Sequence, residues 1–85
     1  MAIKQITTQA YVGQGLVFNR TIKGAKHWRE EMREAMKAID DNAASGCLGL
    51  IRQQQVGARG WGVYRYTAFG NSAERDPSIV WPDGV

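Results

Sequence analysis

Two short runs of alternating side chains, then one long apolar stripe at helical spacing, then two more alternating runs account for most of the chain between Ile3 and Phe69. Ile3 to Val12 is rich in threonine, isoleucine and tyrosine, which suits a strand, and Ile6, Ala10 and Val12 share one phase while Ile3 falls out of it. Gly13-Gln14-Gly15 reads as a turn into a second strand, Leu16 to Ile22. Leu16, Phe18 and Ile22 are expected on one side of it, with Val17, Asn19 and Thr21 on the other, and the two strands form a hairpin.

From about Ala25 to Ala44 the period changes. Trp28, Met32, Ala35, Met36, Ile39 and Ala43 line up as a single stripe on an α-helix, with Arg29, Glu30, Arg33, Glu34 and Lys37 mainly on the wet side. Glu30 and Glu31 stand in the early turns, where the helix dipole favours anions, and read as surface acids together with Glu34. Ser45-Gly46 is the expected stop, with glycine in a left-handed cap; Asp40 and Asp41 oppose the dipole near that end. Cys47 to Gln54 reads as a third strand, with Leu48 and Leu50 on one face. Residues 56–60 form a loop to a fourth strand, Trp61 to Phe69, and Ile79-Val80-Trp81 either adds a short fifth strand at an edge or docks against the core. The expected fold is a two-layer α+β domain: one amphipathic helix packed on a small antiparallel sheet, in the order ββαββ with a possible last β.

Composition narrows the classes. A chain of 85 residues, 44% hydrophobic with three tryptophans, makes one domain with a small core, and self-association as a homodimer would help stabilise it. No apolar run approaches the roughly 20 residues of a membrane-spanning helix, the first residues lack the apolar core of a signal peptide, and Cys47 is the only cysteine. A reducing cytosol is the simplest location. The net charge of +3 is modest, but its distribution is uneven. No carboxylate precedes Glu30, and none falls between Asp41 and Glu74, so the sheet is expected to carry positive charge only and the helix most of the negative charge. That arrangement suits an anionic partner.

Catalytic chemistry finds little support. His27 is the only histidine and has no neighbouring nucleophile or orienting acid; Cys47, entering a strand, reads as a small buried hydrophobe. One histidine and one cysteine do not make a zinc site, and Gly13-Gln14-Gly15 lacks the further glycine and the following helix of a dinucleotide loop. No metal and no cofactor is expected.

The stretch Arg59-Gly60-Trp61-Gly62-Val63-Tyr64-Arg65-Tyr66 holds the most chemistry. Alternation sends Arg59, Trp61, Val63, Arg65 and Thr67 to one side and Tyr64, Tyr66 and Ala68 to the other, against the helix stripe. An aromatic between two guanidinium groups is thereby presented on one face. The stretch resembles the longer signature strand of the RNA recognition motif through Arg59, Gly60, Gly62 and Tyr66, with Trp61 at a stacking position. Tyr11 to Leu16 echoes the shorter signature, with Tyr11 as a second stacking residue. The resemblance implies a sheet that holds unpaired bases on aromatic and guanidinium planes. It covers those two segments and not the topology. The family places a helix where Leu16 to Ile22 reads as a strand, and Pro77 and Pro82 interrupt the segment that would supply its second helix.

The expected function is therefore that of a small non-enzymatic protein that occupies a macromolecular partner with an acidic surface, a protein ahead of a nucleic acid. Arg59, Trp61 and Arg65 are the centre of the contact and Arg52 and Arg20 are flanking charges. In size and lack of catalytic motifs the chain is similar in type to the small inhibitors and accessory proteins of phages and mobile elements, anti-CRISPR proteins among them. The alternative is a single-stranded RNA- or DNA-binding protein that stacks bases on Trp61 and Tyr11. A toxin-like nuclease using His27 and the arginines is a third reading.

Overall fold

The computed structural model describes residues 5–23, 27–55 and 61–76. They form a five-stranded antiparallel sheet with one helix packed on it: β1 (Gln5–Val12), β2 (Gly15–Lys23), α1 (Trp28–Asn42), β3 (Leu48–Gln55), β4 (Gly62–Thr67) and β5 (Ala73–Arg75). The sheet order is β2-β1-β3-β4-β5, so β1 and β3, far apart in sequence, lie side by side at its centre. This is the two-layer α+β architecture that the change of period predicts. The topology of the RNA recognition motif is not adopted, because residues 16–22 belong to a strand.

The register sorts the side chains into two faces. Ala10, Ile51 and Tyr64 are cross-strand neighbours, and so are Val12, Gly49 and Tyr66, all on the side facing α1. There Ala10, Ile51, Tyr66 and Ala68 close against Met32, Ala35 and Ile39 of the helix stripe. Gly49 makes the close approach possible, since a Cβ at that position would lie 2.6 Å from Ile39 Cδ1 and 2.8 Å from its Cγ2. Two buried polar residues join the layers: Gln53 Nε2 donates to Thr8 Oγ1 (3.1 Å) and to the Trp28 carbonyl (2.9 Å). Buried polar groups are retained when they are satisfied in this way.

Several expectations are corrected. Ala10 pairs with Phe18 but Tyr11 with Leu16, so Val17 is an extra residue in a β-bulge. The bulge separates Leu16 from Phe18: Leu16 is exposed, whereas Val17 and Phe18 both pack on the core. The helix ends at Asn42, where the Asn42 side chain donates to the Ala38 carbonyl, and Ala43 is extended. Gly46 does have positive φ, but it serves the turn into β3, where its N–H donates to Ala68 O. Cys47 is exposed, because it precedes β3 and has no place in the layer between sheet and helix. β4 stops at Thr67, and the fifth strand found is Ala73–Arg75; the anticipated segment 79–81 lies outside the described residues.

Glu31 is not a surface acid. It is buried and forked onto Arg20 of β2, with Nε–Oε1 and Nη2–Oε2 distances both 2.7 Å. Asp40, which opposes the helix dipole near its end, accepts from Tyr66 Oη (2.8 Å) and from the Phe69 N–H (2.8 Å), tying the last helical turns to the end of β4. No helix of the described residues is long and apolar enough to cross a membrane.

Candidate functional site

Trp61 stands one residue before β4 and shares its side with Val63 and Arg65, away from α1. Tyr64 and Tyr66 take the opposite side, where Tyr66 is buried and Tyr64 packs on the core. On the open side Arg52 of β3 is directly opposite Val63, which puts it diagonal to Trp61. Its guanidinium carbon lies 4.1 Å from the centre of the indole, and its Nε donates to Gln9 Oε1 at 2.7 Å. Arg52 is only 9% exposed. Burial holds its pKa below the ordinary arginine value, with Tyr11 acting in the opposite direction, and a guanidinium remains charged at neutral pH regardless. A desolvated cation on an aromatic face is among the stronger cation–π arrangements.

Arg65, two residues after Val63 and four after Trp61 on the same side, is half-exposed; its Nη2 lies 3.1 Å from Asp76 Oδ2, and its cross-strand neighbour on β5 is Glu74. The expectation of a sheet carrying only positive charge is thereby corrected. The turn after β4 folds the acidic segment back as β5, so two carboxylates join the two arginines of the described open side. Leu48, across from Thr67, is 52% exposed and adds an apolar contribution to this side.

The anticipated constellation is thus regrouped. Trp61, Arg52 and Arg65 share one side of the sheet, with Arg52 at its centre and not at the flank. Arg20 does not join them: it projects on the helix side, pairs with Glu31 and lies 5.0 Å over the ring of Phe18. The Arg20–Glu31 contact also raises the Arg20 pKa. Tyr11 does lie on the open side, between Leu16 and Leu50, but it is 7% exposed and offers little ring area for a stacked base. Arg59 lies outside the described residues. His27 is half-buried before the first turn of α1, and its Nδ1 is 3.7 Å from Glu30 Oε2. Among the described residues no group of three histidine, cysteine or acidic side chains is placed to hold a metal ion.

Sequence reasoning passed over Arg52 as a central residue because its place depends on the β3–β4 register, which alternation within one strand does not give. It also passed over Phe69, which is 56% exposed at φ 63 and is held there through its N–H bond to Asp40. Compared with protein-family models, curated proteins and solved structures, the chain matches none.

Proposed function

We propose that this protein works without catalysis, by occupying a partner protein through the open side of its sheet. The observation that carries this reading is the Arg52–Trp61 stack, set on the side of the sheet away from the helix. A tryptophan held flat by a guanidinium loses little side-chain freedom on binding, and tryptophan and arginine are the residue types that most often anchor interfaces. Arg65 adds a half-exposed guanidinium with donors beyond the one Asp76 takes, suited to a carboxylate of the partner. Leu48 supplies apolar area at the rim.

A protein fits this side better than a nucleic acid does. Glu74 and Asp76 flank Arg65 and repel a phosphate backbone, Tyr11 is buried, and one face of the Trp61 ring is already covered by Arg52. The partner's surface would be acidic and partly apolar. An inhibitor or accessory factor of the kind mobile elements encode acts in this steric manner, by covering a working surface of its target.

Affinity purification from the native host, with and without nuclease treatment, tests the reading. One specific protein is expected to co-purify, to survive nuclease, and to be lost from both Trp61→Ala and Arg65→Glu. Recovery that depends on nucleic acid would favour the stacking alternative, and retention by both variants would remove the open side as the contact.

A further inference from the structure

We propose a second binding site, on the helix side of the sheet, that takes an acidic peptide segment with an apolar anchor. It goes beyond the open-side reading and is independent of it. The helix packs mainly over β1, β2 and β3 and reaches β4 chiefly at its end, where Tyr66 is buried and bonds to Asp40. Between the N-terminal half of α1 and strands β4 and β5 runs a groove of about 600 Å³. That volume falls within the range of ligand clefts.

The floor of the groove is apolar: Met32 and Met36 from the helix and Tyr64 from β4. Methionine thioethers are soft and adaptable, and they recur on surfaces that grip apolar side chains of peptides. The walls are basic. Arg29 and Arg33 stand on the helix side and Arg75 on β5, and among the described residues no carboxylate lines the groove. All three arginines are exposed, and among the described residues none forms an ion pair with an acid. The other three described arginines contrast with them, since Arg20 is paired with Glu31, Arg52 is stacked on Trp61 and Arg65 is paired with Asp76.

Helical spacing sharpens the point. Arg29, Arg33 and Lys37 follow at intervals of four and form one row of like charge, which weakens a helix; Arg29 and Arg33 are the two that line the groove. Glu30, three residues before Arg33, lies beside His27 instead. A row of cations on one wall and a cation on the other, over an apolar floor, complements a peptide whose aliphatic or aromatic side chain sits between carboxylates. Nucleic acid fits less well: the exposed ring at the mouth, Trp28, already has the Arg29 guanidinium 5.0 Å from its centre, and the remaining floor is mostly aliphatic.

The test titrates the full-length protein with a fluorescein-labelled peptide carrying a phenylalanine and a leucine between two pairs of glutamates. A peptide with lysines in place of the glutamates, and a labelled oligothymidylate, serve as comparisons. Binding is followed by anisotropy and mapped by NMR shifts of the Met32 and Met36 methyl groups. The acidic peptide is expected to bind with shifts at these methyls and to weaken roughly tenfold in the Arg33→Glu, Arg75→Glu double variant, through loss of two charge-assisted contacts. The single variant Arg33→Gln, a surface change in the helix, is expected to weaken it by about threefold with an unchanged melting temperature. Trp61→Ala is expected to leave this affinity untouched, which separates the groove from the open side. Equal binding of the lysine peptide, absence of methyl shifts, tighter binding of the oligonucleotide, or self-association through the groove in place of peptide binding would each overturn the proposal.

Discussion

The Arg20–Glu31 pair is asymmetric: the carboxylate is 6% exposed and the guanidinium 43%. Removing the arginine strands a buried anion, whereas removing the acid leaves a cation that turns to water. Arg20→Ala is therefore expected to cost about 2 kcal/mol, less than a fully buried pair because the guanidinium is half-wet, and Glu31→Gln distinctly less. Urea denaturation of both variants checks the order, and the reverse order would contradict it. Tyr66 is a second residue whose environment makes a prediction. Burial first, and its bond to Asp40 second, raise its pKa. A tyrosine raised in the folded state contributes stability that is intact below the unfolded value of about 10 and is lost as pH rises through the folded value. Tyr66→Phe is expected to lose roughly 1 kcal/mol at neutral pH and to show a shallower fall in stability above about pH 10 than the wild type. Parallel curves for the two proteins would refute the assignment. Alternation set Tyr66 against the helix, but neither its bond to Asp40 nor the Arg20–Glu31 pair was legible in the sequence. Glu31 carries the signature of any first-turn acid, and only the β1–β2 pairing, which sets Arg20 beside Thr8 over the helix side, reveals its partner.

At the scale of elements, the seating of α1 on β3 depends on Gly49. A methyl group there would enter the space of the buried Ile39, so Gly49→Ala is expected to cost about 1–3 kcal/mol by overpacking. Ile39→Val removes the nearest atom, Cδ1, and the double variant should be more stable than the sum of the two single losses implies, which a double-mutant cycle in urea measures. Strict additivity would show that the two do not meet. The helix stripe was readable because it repeats over many turns, and the same residues, Met32, Ala35 and Ile39, form the core. The bulge at Val17 and the position of β5 were not, because each is decided by a neighbouring strand and not by the segment's own pattern. The alternation in β4 did place Tyr64 and Tyr66 against the helix and Trp61 with Arg65 on the other side, since period two survives any choice of partner strand.

Across the whole molecule, charge settles differently from its order in the chain. The sequence confines its acids to residues 30–41 and 74–83, but folding brings Glu31 to Arg20 and Asp76 to Arg65. Among the described arginines the groove set of Arg29, Arg33 and Arg75 stays without an ion pair, while on the open side Arg52 is stacked on Trp61 and Arg65 is half-exposed and already shares one donor with Asp76. The two proposed contacts lie on opposite sides of one sheet, the open side for a folded partner protein and the groove for an acidic segment. High salt is expected to weaken the groove contact steeply and the open-side contact less, because only the first rests on exposed, unpaired charge. Equal salt dependence of the two would contradict that division.

The open side is tested most directly by calorimetric titration of the purified partner into Trp61→Ala, with melting temperature recorded alongside and Arg33→Gln as the comparison. The expected result is at least a tenfold loss of affinity, about 1.4 kcal/mol, in a folded Trp61→Ala protein and wild-type affinity in Arg33→Gln. A folded Trp61→Ala protein that binds the partner as tightly as the wild type would contradict the account.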